Sequence, residues 1–279
     1  MNNYELQAGL VLLLPLAGFI TLALYGRKLP ERTSGILATS LLGLTTLFAW
    51  MVALGYFFDF GQKEAGYFPI RLLSFNWLQF NDSLSIDAGI VLNPISAMML
   101  IVISTVSFLV HLYSISYMKG EGRLSSYFAY LQLFTFSMLG LVVAFNIFQI
   151  YFFWELVGVS SFLLIGFYFT QPAAIAAAKK AFIVTRFADL GFLIGILMLG
   201  IGSNSFDIET ITGTLTNPIS PELAAFTQTS FLGVSLLTWA LLLVFMGGAG
   251  KSAIFPLHVW LPDCLLYTSP SPRDGLLSR

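Results

Sequence analysis

The sequence predicts an all-α, polytopic membrane protein with about seven transmembrane helices, the seventh of them broken. Three observations predict this class. First, 57% of the 279 residues are hydrophobic and only 10% are charged, with a mean hydropathy of +0.84, more apolar than a soluble domain needs to fill one core. Second, apolar runs recur at the roughly 20-residue length that crosses a bilayer, at 7–25, 35–58, 89–117, 125–145, 147–169, 180–202 and 230–262. Third, the last run is interrupted by Gly247, Gly248, Gly250 and then Pro256, residues that weaken helix continuity or remove a backbone donor.

Taken in order, the opening "MNNYELQAGL" has no basic leader and no small-residue cleavage site, so the first run reads as a retained span. Residues 66–88 carry "IRLLSFNWLQF" and "SLSIDAGI" around Asn81-Asp82, an expected β-hairpin with Asn/Asp turn chemistry. Residues 204–228 are expected to start with a short amphipathic helix and then to be broken at Pro218 and Pro221. The division expected is 1–118, three spans with their loop, then 119–263 with four spans. Residues 264–279, "CLLYTSPSPRDGLLSR", are Ser/Pro-rich and hydrophilic; they resemble translated adaptor sequence and are expected to stand apart from the fold.

Lys and Arg fall in alternate connections: Arg27, Lys28 and Arg32, then Lys119 and Arg123, then Lys179 and Lys180. This asymmetry places the N-terminus outside and the end of the seventh run at the cytoplasmic side.

Several function classes drop out. A net charge of −1 offers no basic face to nucleic acid. Cys264 is the single cysteine, which excludes an internal disulfide or a Cys-ligated cluster. "GGAGKS" at 247–252 imitates the end of a phosphate-binding loop, but Phe245 stands where the first glycine belongs and a spanning run precedes it. "GIGSNS" at 200–205 lacks the third glycine of a dinucleotide motif. No nucleotide is expected on this chain.

The informative residues are the charges that the runs retain, because an ionisable group at membrane depth is costly unless paired or hydrated. Glu155 lies three residues from the middle of the 147–169 run. Arg186 and Asp189 stand three apart on one helix face and can pair. Lys251 sits at the expected helix break, where freed carbonyls demand a polar interior. Were Glu155 and Lys251 to face each other, joining or separating them would load or release a proton. Each also has a plainer reading: Glu155 as a static ion-pair partner, Arg186 with Asp189 as a self-neutralising structural pair, His258 as a packing residue rather than a relay. His111 is expected to be interfacial.

Four segments carry a family resemblance: "HLYSISYMKGEGRLSSYFAYLQLFTFSMLGLVVAFNIFQIYFFWELVGVSSFLLIGFYF" (111–169), "KKAFIVTRFADLGFLIGI" (179–196), "GSNSFD" (202–207) and "GKSAIFPLHVWLPD" (250–263). Together they closely resemble the L-subunit family of NADH:quinone oxidoreductase, the distal antiporter-like subunits of respiratory complex I and their mitochondrial subunit 5 counterparts. The resemblance implies a partial antiporter-like fold and a proton-transfer pair at Glu155 and Lys251, modulated by Arg186 and Asp189, with His258 as a further relay candidate. It implies no cofactor in this chain, with FMN and iron–sulfur clusters in partner subunits. It also implies other membrane-arm subunits and the lipid bilayer as partners, in a bacterial inner membrane rather than a mitochondrial one. At Asn93 the family more often has Asp, so no charge-dependent role attaches there. Two other readings stand beside it. One is the large subunit of a multisubunit Na+/H+ antiporter, in which "VGVSS" after Glu155 would more typically read "TSISS". The other is a nonfunctional structural fragment, since the family continues past Asp263 into a second, inverted repeat.

Overall fold

Long runs of apolar, helix-compatible residues between capping residues produce helices, because a backbone at membrane depth must satisfy its own hydrogen bonds. The computed structural model describes residues 3–63, 66–79 and 85–266. Among the described residues, six helices are long and apolar enough to cross a membrane. They are α1 (Asn3–Tyr25), α2 (Glu31–Gly55, extended to Phe60 by a wider turn), α3 (Pro94–Tyr117), α4 (Leu124–Val142), α5 (Ile147–Ile165) and α6 (Pro172–Gly202). The seventh apolar helix is shorter. Two amphipathic segments, α7 (Ile208–Thr216) and α8 (Pro221–Gln228), lead into α9 (Leu236–Lys251), and a 3-10 turn (Leu257–Trp260) then precedes α10 (Leu261–Leu266).

Two units make up the chain: Met1–Gln79 with Ile86–Ser160, and Phe80–Ser85 with Ser161–Arg279. In the first, α1 packs on α2 and α4, and α2 packs on α3. The core there runs from Ala8 and Val11 through Ala49, Val52 and Tyr56 to Leu92, Leu100 and Leu139. The Tyr4 hydroxyl donates to Asp59 Oδ2 at 2.8 Å and joins the start of α1 to the far end of α2.

The expected hairpin forms from strands Ile70–Gln79 and Ser85–Leu92; the Asn81-Asp82 turn lies outside the described residues. Gln149 at the start of α5 fastens it. Gln149 Oε1 accepts from Gly89 N at 3.1 Å and Phe145 N at 3.2 Å, while Nε2 donates to Gly89 O at 2.9 Å. Asn146 Nδ2 donates to Asp87 O in the same corner. One amide side chain thus substitutes for a neighbouring strand at an edge that would otherwise bury unsatisfied groups.

Four sequence expectations change. The third helix begins at Pro94 rather than 89, because Asn93 forms a capping box with Ser96, its Oδ1 accepting from Ser96 N at 2.8 Å, and residues 89–92 belong to the strand. The sixth helix begins at Pro172, so Lys179 and Lys180 lie within it and not in a connection; proline at the first helical position starts a helix, since its missing N–H would be unpaired there anyway. The same chemistry makes Pro221 a start and not a break, with the Ser220 hydroxyl accepting from Leu223 N at 3.1 Å. His111 is 1% exposed, buried among helices rather than interfacial.

Candidate functional site

The second unit holds a charged cluster built on the closest helix–helix approach in that unit. Along α6 and α9, glycines remove side chains where the backbones meet. A Cβ on Gly250 would stand 2.3 Å from Ala188 Cβ, and one on Gly247 would stand 2.5 Å from Phe192 Cβ. On the facing helix, Gly195 meets the backbone at Ala240 O and Val244 N, each 2.8 Å from its would-be Cβ. These pairs run in opposite directions along the two chains, so the helices are antiparallel. Small residues at such spacing let backbones approach closely where no hydrophobic drive separates helix from lipid.

That register decides where Lys251 lies. One residue beyond Gly250, it stands level with residue 187, the middle of the 31-residue α6. Asp189, 1% exposed, is on the adjoining turn, and Lys251 is within Coulombic reach of both Asp189 and Arg186. The Arg186 guanidinium also lies over the Phe182 ring, 4.7 Å from its centre.

The helix ends at Lys251 for a local reason. Ile254 N donates to Ala249 O at 2.9 Å and Ala253 N to Gly250 O at 3.4 Å, with Ala253 in the left-handed region at φ 51°. This is a Schellman closure with alanine in the position usually given to glycine. The expectation that the glycines themselves break the helix is therefore corrected: α9 runs through them, and they serve close approach. Trp260 Nε1 reaches back to Gly250 O at 3.0 Å, and Lys180 Nζ donates to Asp263 Oδ2 at 2.8 Å, so the chain after the break is tied to the helix end and to α6. Lys251 consequently sits on the last helical residue, where the carbonyl end of the helix dipole favours a cation.

Glu155 belongs to the first unit and Lys251 to the second. Glu155 is one residue from the middle of the 19-residue α5, about 1.5 Å along its axis, and its Oε2 is fully covered. His258 is exposed on the 3-10 turn, its ring 5.6 Å from that of Phe255. Among the described residues, no three His, Cys, Asp or Glu side chains group as metal ligands would. The glycine contacts and the Trp260 tie escaped sequence reasoning, although Gly191 and Gly195, four apart and both interfacial, carried a signal for close packing.

Comparison with known proteins bears on the family of the chain. A family model described as the transmembrane region of NADH:quinone oxidoreductase and Mrp antiporter matches residues 144–277, past Asp263. A second, the chain 5 N-terminus of NADH-ubiquinone oxidoreductase (complex I), matches residues 77–128. The chain belongs to the complex I chain 5 family. Among its relatives, NAD(P)H-quinone oxidoreductase subunit 5 of Chlorokybus atmophyticus chloroplasts is 40% identical over 85% of this chain and 34% of its own length. NADH-quinone oxidoreductase subunit L of Neisseria meningitidis serogroup B is 36% identical over 99% of this chain and 40% of its own. The chain thus spans little more than a third of these relatives. A solved subunit of an archaeal membrane-bound sulfane sulfur reductase superposes with a TM-score of 0.74 at 21% identity, over 97% of this chain and 50% of its own. That likeness bears on fold alone. Membership in the chain 5 family makes this a multi-pass membrane protein of the antiporter-like fold.

Proposed function

We propose that this chain is the front part of a proton-translocating membrane-arm subunit of NADH:quinone oxidoreductase, in which Glu155 and Lys251 exchange a proton and Arg186 and Asp189 bias that exchange. The observation that carries the reading is the placement of Lys251 at the broken end of α9, level with the middle of α6, within Coulombic reach of Asp189 and Arg186. An interrupted helix at membrane depth whose carbonyl end faces a cation is the arrangement by which transporters hold an ion halfway across. Glu155, at the middle of α5, supplies the second protonatable group, and His258 is a further relay candidate.

In this reading electrons move elsewhere, FMN and iron–sulfur clusters reside in partner subunits, and other membrane-arm subunits with the surrounding lipid are the partners. The N-terminus faces outside, as the distribution of Arg27, Lys28, Arg32, Lys119 and Arg123 favours, in a bacterial inner membrane. Residues 119–263 form an incomplete first antiporter-like repeat, after the three spans of 1–118. A second reading, the large subunit of a Na+/H+ antiporter, rests on the shared transmembrane family model; the chain 5 N-terminal match at 77–128 favours the oxidoreductase.

The test is Lys251→Ala in the complete subunit within its assembled complex. Proton pumping by vesicles is expected to collapse while NADH oxidation by a soluble acceptor, which needs no membrane arm, persists. Intact pumping would remove the proposal.

A further inference from the structure

The first unit contains a cavity of about 480 Å³ that the Glu155 and Lys251 account does not use. It is enclosed by α1 between Gly9 and Leu16, by both hairpin strands, by Phe136 of α4 and by Phe152 of α5, all within that unit.

The cavity runs in the spanning direction. A Cβ on Gly9 would stand 3.8 Å from Leu73 Cδ1, so the hairpin lies over this turn of α1 and closes one end. Gly18 of α1 meets Gln132 of α4, and Gly26 meets Ser125. The two helices are therefore antiparallel, and Phe136, one turn beyond Gln132, comes level with Leu14 and closes the other end. Seven residues separate Gly9 from Leu16, about 10 Å along the axis at 1.5 Å per residue, which carries the cavity past the middle of the 23-residue α1.

Its wall is apolar. Gln149 reaches it, but Oε1 accepts from Gly89 N and Phe145 N while Nε2 donates to Gly89 O, so the amide and the strand backbone facing it are committed to each other. The rest of the lining is aliphatic or aromatic, with the Trp77 ring packed edge-on to Phe152 at 5.7 Å between centres. A cavity of this kind stays dry and takes up apolar matter.

Size and position select the occupant. Leu13 and Phe152 are exposed at the mouth and belong to two helices of membrane-crossing length, so the opening faces hydrocarbon. A helix about 10–12 Å across fills the same volume with only about three to four residues; another spanning helix cannot enter, whereas one extended chain can. Trp77, exposed on the hairpin, is the residue type that settles at headgroup level.

We propose that this cavity is a lipid site holding one acyl chain of a membrane phospholipid, with the ester end beside Trp77 and the chain passing Phe152 toward Phe136. The site is independent of the proton exchange assigned to Glu155 and Lys251.

The experiment places the complete complex in nanodiscs of phosphatidylcholine with brominated acyl chains and maps its density. The expected result is an elongated feature at about 3.5–4.0 Å from Phe152 and Leu13, with a bromine signal missing from a matched map in unbrominated lipid. Gly9→Phe, which fills the cavity with a ring, is expected to abolish the feature, and Gly9→Ala, whose Cβ makes an ordinary contact, to keep it. Leu16→Phe makes the same test from the opposite end should Gly9→Phe fail to assemble. An empty cavity, a side chain of another subunit inside it, or a feature without bromine, such as a quinone tail, would overturn the proposal.

Discussion

Gly250 and Gly248 lie two residues apart on α9 and should respond to alanine in opposite ways. A Cβ at Gly250 would stand 2.3 Å from Ala188 Cβ, whereas a Cβ at Gly248 meets nothing within 4 Å. Carbon atoms rest at about 3.5–4.0 Å from one another, so Gly250→Ala forces α9 and α6 apart by about 1.2–1.7 Å, at a cost of about 1–3 kcal/mol for overpacking. Because Lys251 is the next residue, the shift moves its ammonium relative to Asp189 and Arg186, and a displacement of that size at a reacting group can cost on the order of 100-fold in rate. Gly248→Ala only removes backbone freedom and should stabilise the helix by about 0.5–1 kcal/mol. The assay is proton pumping by vesicles bearing the complete complex, with heat-inactivation half-life measured beside it. Gly250→Ala is expected to lower both, and Gly248→Ala to leave pumping unchanged with an equal or longer half-life. Equal behaviour of the two variants would refute the claim that close packing at Gly250 positions Lys251.

Three further outcomes follow from the same geometry. Ala253 adopts φ 51°, a left-handed conformation that costs an L-residue about 1–2 kcal/mol; Ala253→Gly should lengthen the heat-inactivation half-life, and Ala253→Val should shorten it. Gln149→Leu removes the three bonds that satisfy Gly89 and Phe145, leaving buried backbone groups that cost about 1–3 kcal/mol each, so the protein should lose thermal stability more than with any substitution at the half-exposed Lys180–Asp263 pair, where a surface bridge contributes about 1 kcal/mol or less. Finally, vesicles containing this polypeptide alone should take up no protons, since the proposed exchange is driven by electron transfer in partner subunits; measurable uptake would contradict that.

The spanning helices were legible because membrane depth leaves the backbone so few options that an apolar run of sufficient length already specifies the element. Charges inside those runs singled out Glu155, Arg186, Asp189 and Lys251 for the same reason. The boundaries were less legible. At Asn93 and Ser220 a side-chain hydrogen bond, and at Pro172 the proline itself, decide where the helix begins, and hydropathy shows none of the three. The glycines near Lys251 were misread because a glycine weakens a helix in isolation yet permits contact in a pair, and only the facing Ala188 and Phe192 distinguish the two uses. His111 looked interfacial from its place near a run's end, but it stands six residues inside α3 and is enclosed by α2 and α4. Helix partners, unlike helix periods, are not written in a single run.

The most direct test of the central claim is Lys251→Arg in the complete complex, with proton pumping measured against electron transfer. Arginine keeps the positive charge beside Asp189 but stays protonated at any working pH. If Lys251 exchanges a proton, pumping is lost in Lys251→Arg as fully as in Lys251→Ala. Pumping preserved in the arginine variant would show that Lys251 supplies only a fixed charge, and the proton-exchange account would fail.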